Sequence, residues 1–517
     1  MTTRVEALRR QGLACAAAGQ WLPAVDRWEA LLALLPGDVQ GSIELSKAFS
    51  RLGRYRAARE QALSVPYDAP MRTELRLEWA LGLRYFGDVD ALLQALSGVQ
   101  GDLSAEQCVQ AADMLASVDA HAQAHRFAEA AVAKDPSFAP AFYMRGRVHV
   151  FHGRMKEAAE DFETCIGLAP DAAPAHWSLS GLAKVSDAHH HVERLSAAVA
   201  RAQPGSENEA QLAYALHSEL HELGRHDQAW DALQRGCRVM RSRVRFDAPA
   251  TARTFAAIHA LCTKEFIDDA VSAPAGGPEP LFIVGLFRSG TTLLEQILAG
   301  HSQVTAGGES QDFASSLNWT LDRRTIVPDE EQVHRAATAD FGALATEYRR
   351  LSRRHARTTS WWTEKLPSNF LYLGYIAKAL PHTRFINLVR DPRDTAFSNL
   401  RTLFSHVVGY AYDQAELAAY MRGYEELMAH WRRVLPDRLL NVRYADLVRD
   451  PETEVRRIAQ FLGLEFEPSM LKIERGGGAV NTASSVKVRQ GILGPRAPDW
   501  LPYEQYLQLL FEALEAP

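Results

Sequence analysis

Along roughly the first 240 residues, apolar side chains recur three and four positions apart, the spacing of helices with one buried face, and Ala, Leu and Arg dominate. From residue 281 the pattern changes. Short apolar runs at 281–286 (LFIVGL) and 384–389 (RFINLV) now alternate with helical stretches at 291–300 (TTLLEQILAG) and 370–380 (FLYLGYIAKAL). Buried strands separated by helices predict a parallel sheet with helices on its faces. Between the two textures lies VSAPAGGPEP, residues 271–280, whose Ala, Gly and Pro disfavour the interior of helix and strand alike. The pattern therefore predicts a helical domain over 1–270, a linker over 271–280 and an α/β domain over 281–517.

The helical half repeats itself. Gly19 is followed by Trp21, Ala24, Trp28 and Pro36; Gly53 by Tyr55, Ala58, Ala62 and Pro70; Gly153 by Met155, Ala158, Phe162 and Pro170. The offsets are +2, +5, +9 and +17 each time, and Gly19 and Gly53 lie 34 residues apart. Gly224 leads Ala229 and Leu233 without the proline, and a degenerate copy puts Asp119 in the glycine position before Ala124, Ala128 and Pro136. Glycine permits a sharp turn, small alanines let two helices approach, an aromatic fills the gap and proline ends the second helix. The series resembles the tetratricopeptide repeat. That resemblance implies an α-solenoid with a concave groove that grips a protein or peptide partner. The stretch 203–208 (QPGSEN) predicts a break within the array.

Composition removes several functions. With 57 Lys plus Arg against 63 Asp plus Glu and a formal charge of −6, the chain has no basic surplus for neutralising phosphates, so no nucleic-acid partner is expected. No window approaches the roughly 18 apolar residues of a membrane span, and the opening MTTRVEALRR lacks the apolar core of a signal peptide. The expectation is a soluble, cytoplasmic protein. The five cysteines, Cys15, Cys108, Cys165, Cys237 and Cys262, are far apart and never in C-x-x-C spacing, which argues against a disulfide framework and a zinc site.

Candidate chemistry begins at residue 281. A buried strand runs through Gly285 into Leu286-Phe287-Arg288-Ser289-Gly290-Thr291-Thr292 and then into a helix. Backbone N–H groups of such a turn and the positive helix start form an anion cradle. The G-x-x-x-x-G spacing is that of a P-loop, but Thr291 stands where a P-loop carries the lysine that spans the β- and γ-phosphates. Tight turns of this kind often bind nothing. Here Arg288, Ser289, Thr291 and Thr292 gather a cation and three hydroxyls on one turn, which a plain turn does not need. A nucleotide kinase remains the alternative, weakened by the missing lysine.

The sequence R-S-G-T-T after a strand resembles the 5′-phosphosulfate loop of sulfotransferases that use 3′-phosphoadenosine 5′-phosphosulfate (PAPS). A second signature of that family, an Arg at a strand end and a Ser eight residues on, is matched by Arg390 and Ser398. In the family the pair holds the 3′-phosphate. A guanidinium fork with a hydroxyl near a helix start suits a dianion on its own chemistry. With its repeats, the chain is most similar to bacterial tetratricopeptide-repeat sulfotransferases, which are related to the protein-tyrosine sulfotransferases. The resemblance implies further roles. Glu309, after Gly307 and Gly308, stands at the position of the catalytic base, 21 residues beyond Arg288. Lys365 in E-K-L-P matches the Lys-x-Pro segment, Tyr444 a nucleotide-contacting tyrosine, and Ser484, Ser485 and Arg489 a late loop over the nucleotide. The sequence departs from the family where Leu286-Phe287 replaces Met-Pro and in the segment after Arg489.

Sulfuryl transfer needs a base for the acceptor hydroxyl, donors for the moving group and cations for the departing phosphate. Glu309 is the candidate base, with His301 and His382 as rivals. Lys365 and Arg288 are the candidate cations; no metal is expected. Trp361 and Trp362 are read as buried strand aromatics, with adenine stacking as the alternative. The acceptor stays open among protein tyrosine, polysaccharide, lipid and small molecule. A catalytically inactive repeat scaffold is the reading from another class.

Overall fold

A computed structural model of the chain describes residues 2–182, 185, 186, 188–269, 278–355, 359–472 and 497–515. Ser484, Ser485, Arg489 and residues 271–277 of the expected linker lie outside the described residues. By packing, the chain divides into two compact units. One gathers Met1–Asp135, Gln311–Ile326 and His334–Ser352, and the other Pro136–Ser310, Val327–Val333 and Arg353–Pro517.

Helix hairpins occupy the repeats. In the first unit they pair Thr2–Ala17 with Trp21–Leu34, Val39–Arg51 with Tyr55–Leu63, Thr73–Tyr85 with Val89–Ala95, and Ala105–Ala116 with His121–Lys134. In the second unit Ala139–Phe151 pairs with Met155–Leu168, and Glu207–Glu222 with His226–Arg243. The turn residue is left-handed in each predicted copy, and Asp119, standing in for glycine, adopts φ 60°. Gly87 makes a further copy at φ 72°, with Val89, Leu92 and Leu96 buried after it. This copy carries neither the alanines nor the proline, with Leu92, Leu96 and Ser104 in those places. Where an aromatic follows at +9, the partner helix leaves room for it: a Cβ on Gly12 would lie 2.6 Å from Trp28, and one on Gly146 2.6 Å from Phe162. The predicted break is a turn at Gly205, φ 75°, after which the Ser206 side chain caps Glu207–Glu222.

The first unit also contains the helices Asp312–Thr320 and Phe341–Ser352. Buried Arg59 joins Phe341–Ser352 to the repeats, with Nη1 donating to Glu347 at 2.6 Å while Nη2 donates to Asp88 of the repeats at 3.0 Å. Arg350 adds a bond to Asp88 at 2.8 Å, and Arg56 donates to the terminal carbonyls of Trp319 and Thr320.

The second unit carries the sheet. Its strands are β1 (Glu279–Gly285), β2 (Val304–Thr305), β3 (Trp361–Glu364), β4 (Arg384–Val389) and β5 (Leu439–Arg443), all parallel in the order β2-β3-β1-β4-β5. β1 starts two residues inside the expected linker. Pro280 is tolerated there because its register pairs it with β3 alone; the β4 ladder opens at Leu281. Leu281, Ile283, Leu294, Ile297, Ile386 and Val442 are among the residues that build the core beneath the helices. The chain places β2 and β3 on one side of β1 and then β4 and β5 on the other. Such a switch of direction opens a crevice at the carboxyl ends of the central strands, where open α/β sheets take ligands. Among the described residues no helix is long and apolar enough to cross a membrane.

Candidate functional site

Every strand delivers one candidate residue just beyond its carboxyl end. Arg288 follows β1, Glu309 follows β2, Lys365 follows β3, Arg390 follows β4 and Tyr444 follows β5. Residues scattered over about 160 positions of sequence thus collect along one edge of one sheet.

The turn after β1 is tightly built. Gly285 lets the chain fold back, since a Cβ there would lie 2.9 Å from both the Leu388 carbonyl and Ser289 Oγ. Arg288 takes a left-handed φ of 70°, unusual for a side-chain-bearing residue. Gly290, at φ 103°, ends the turn against the Tyr444 ring, 2.7 Å from where a Cβ would stand. Thr291 and Thr292, both buried, open the helix Thr291–Ala299, whose first N–H groups lack intrahelical acceptors. Leu286 is buried and Phe287 packs on Phe404, so this variant of the loop is anchored by apolar contacts. Asn399 Nδ2 donates to the Phe287 carbonyl at 2.7 Å and fixes the turn from the β4 side.

Cations converge on this turn. Arg288 Nε donates to Ser398 Oγ at 3.2 Å, and Arg390 Nη1 approaches the Arg288 carbonyl at 3.4 Å. Arg390 also lies 5.1 Å from the Tyr444 ring centroid and 3.5 Å from Asp394. Asp391 instead caps the helix Pro392–Leu400, accepting from the N–H groups of Arg393 and Asp394. Burial, then repulsion from Arg401 and Arg390, brings the Arg288 guanidinium down to about 10, against the partial offset of Glu309. Ser289 Oγ and Arg390 Nε are buried with no hydrogen-bond partner among the described residues. A buried hydroxyl and guanidinium N–H without acceptors, beside clustered positive charge, fit an anionic ligand with several oxygens.

On the other side of β1, Lys365 is fully buried and its Nζ donates to Glu309 Oε1 at 2.6 Å, while the Glu309 side chain keeps 32% exposure. Gly307 and Gly308 have separate reasons. A Cβ on Gly307 would stand 2.1 Å from the Thr363 carbonyl oxygen, and Gly308 has φ 72°. Of the rival bases, His301 is buried with Nε2 on the Glu465 carbonyl at 2.8 Å and Nδ1 accepting from Gln303 N–H at 2.9 Å. His382 is exposed in the turn that enters β4, at the opposite end of that strand from Arg390. Trp361 and Trp362 lie at the start of β3, Trp362 buried and Trp361 packed on the core. Glu295, Asn399 and Arg401 are site neighbours that sequence reading missed. Asn399 and Arg401 lie one and three residues beyond Ser398, and only that nearness pointed to them.

Residues 280–468 match the profile of the sulfotransferase family. A protein of Aquifex aeolicus (strain VF5), named only as an uncharacterized protein, is 26% identical over 384 residues, which is 71% of this chain and 49% of that one. The chain thus spans about half the length of that relative. A putative protein-tyrosine sulfotransferase of Caenorhabditis briggsae is 29% identical over 194 residues, 37% of this chain and 68% of its own. The solved sulfotransferase domain of the Synechococcus PCC 7002 olefin synthase aligns at a TM-score of 0.31 and 23% identity, over 48% of this chain and 99% of that domain.

Proposed function

We propose, from the premise that residues 280–468 form a sulfotransferase domain, that this protein moves a sulfuryl group from PAPS to an acceptor hydroxyl. The acceptor class is a tyrosine of a protein or peptide, and the repeats recruit it. The reading is carried by the anion-ready turn after β1, which lacks a P-loop lysine, with Ser289 Oγ on it and Arg390 Nε beside it buried without a hydrogen-bond partner among the described residues. The name of the Caenorhabditis relative supports tyrosine as the acceptor.

PAPS supplies the sulfuryl group. Arg288, Ser289, Thr291, Thr292 and the N–H groups after Gly290 bind the 5′-phosphosulfate. Arg390 and Ser398 hold the 3′-phosphate, and Tyr444 keeps the Arg390 guanidinium in place by lying against it. Glu309, the partly exposed member of its ion pair, takes the proton of the acceptor hydroxyl. Lys365 and Arg288 neutralise the charge that builds on the departing 5′-phosphate. An ATP kinase would lack the lysine for its β- and γ-phosphates at this turn.

The test is incubation with [35S]PAPS and a lysate of the source organism, with Glu309→Gln as control. Label recovered as tyrosine sulfate in protein, and absent with the control, supports the reading. No acceptor labelled by the parent protein, or equal labelling by Glu309→Gln, overturns it. Label in carbohydrate or lipid overturns the tyrosine assignment.

A further inference from the structure

The helix Thr291–Ala299 (TTLLEQILA) turns Leu293, Leu294, Ile297 and Leu298 into the core, and Glu295 is buried among them at 4% exposure. An apolar side chain would fill that place without desolvating a carboxylate, so its retention calls for a reason. Its hydrogen bonds supply one. Glu295 Oε1 accepts from Gly308 N–H at 3.0 Å and from Thr363 Oγ1 at 2.7 Å. Thr363 Oγ1 in turn accepts from Gly307 N–H at 3.1 Å. The Gly308 carbonyl accepts from Lys365 N–H at 2.9 Å, and Lys365 Nζ closes the circuit on Glu309 Oε1 at 2.6 Å. Among the described residues both donors to Glu295 therefore belong to the loop that carries the base or to the strand that leads into the lysine.

We infer that Glu295 is a positioning residue: from inside the core it fixes Gly307 and Gly308 against β3, so that Glu309 and Lys365 meet in register. The inference rests on the proposed sulfuryl transfer. Burial raises the Glu295 carboxyl above its ordinary range, and the positive charge of Lys365 works in the opposite direction. Among the described residues Glu295 makes no hydrogen bond or ion pair with Arg288, Arg390 or Ser398, so under this inference base placement is separate from nucleotide binding.

The test compares Glu295→Ala and Glu295→Gln, since glutamine keeps an acceptor oxygen for both bonds. Three readouts are needed: calorimetric affinity for adenosine 3′,5′-bisphosphate, amide exchange at Gly307 and Gly308, and initial rates of [35S] transfer to the lysate acceptor pool. The inference predicts unchanged nucleotide affinity in both variants. It predicts at least tenfold faster exchange in Glu295→Ala, with kcat lower by about 100-fold at unchanged KM for PAPS, the cost of a misplaced catalytic group. Glu295→Gln returns kcat to within threefold. A kcat for Glu295→Ala within threefold of the parent, counted per nucleotide-binding site, overturns the inference, as does a Glu295→Gln variant as slow as Glu295→Ala. If Glu295→Ala does not fold, Thr363→Val removes the hydroxyl bridge alone; a drop of about tenfold in kcat supports the inference and an unchanged kcat overturns it. Failure of the parent protein to bind adenosine 3′,5′-bisphosphate is a different result: it overturns the sulfuryl-transfer reading and the inference with it.

Discussion

Replacing Gly307 by alanine would set a methyl group 2.1 Å from the Thr363 carbonyl oxygen. Close carbon–oxygen contacts in proteins run to about 3.3 Å, so one side must give by roughly 1 Å. β3 is hydrogen-bonded to β2 on one flank and β1 on the other, so the loop moves and the strand stays. Glu309 is two residues along that loop, and its bond to Lys365 is 2.6 Å long. A displacement of about 1 Å at a catalytic group costs about 100-fold in rate, or about 2.7 kcal/mol of barrier. Overpacking adds about 1–3 kcal/mol of destabilisation. The Arg288 and Arg390 pocket is built from β1 and β4 and should be untouched. Gly307→Ala should therefore bind adenosine 3′,5′-bisphosphate in calorimetry like the parent, while initial rates of [35S] transfer at saturating PAPS fall about 100-fold. A variant with kcat within threefold of the parent, or one that loses nucleotide affinity in step with rate, would refute the reasoning.

Arg390→Ala should weaken adenosine 3′,5′-bisphosphate by about 10- to 100-fold, the loss of about 1.5–3 kcal/mol for charged hydrogen bonds. Adenosine 5′-phosphosulfate, which lacks the 3′-phosphate, should change little, and equal losses for both in competition calorimetry would contradict the assignment. Gly146→Ala drives a methyl into the Phe162 ring 2.6 Å away and should destabilise by about 1–3 kcal/mol, lowering the apparent Tm with nucleotide affinity unchanged. Because burial raises the Glu295 carboxyl, the folded state binds its proton more readily than the unfolded chain. Its stabilising contribution is present below the unfolded value of about 4.3 and is lost as pH rises through the folded value. Glu295→Gln removes that loss, so its apparent Tm should gain on the parent as pH rises above the unfolded value of about 4.3. A Tm difference independent of pH would count against a raised value.

The repeats were legible because their signals are local. A left-handed turn, a small residue and an aromatic at fixed offsets are chain properties, and Asp119 was readable even without its glycine. Gly87 was not, since its hairpin is filled by Val89, Leu92 and Leu96, which carry no special spacing. The turn after β1 was legible for the same reason: glycines and hydroxyls adjoin in sequence. The meeting of Lys365 with Glu309 depends on β2 and β3 being neighbours, which the alternation of strands and helices does not encode. Nothing in the helical stretch TTLLEQILAG marks Glu295; only the approach of Gly308 and Thr363 makes it a buried acceptor. The packing of Phe341–Ser352 with the first repeats is tied by Arg59 with Glu347 and by Arg350 with Asp88, charges paired across 288 and 262 positions that no local pattern announces.

Calorimetric titration with adenosine 3′,5′-bisphosphate, and with ATP plus magnesium in competition, tests most directly the claim that the turn bounded by Gly285 and Gly290 takes a 3′-phosphorylated adenylate. One site per chain is expected, with ATP at least 100-fold weaker, roughly 2.7 kcal/mol. No heat with the bisphosphate, or its displacement by ATP at equal concentration, would contradict it.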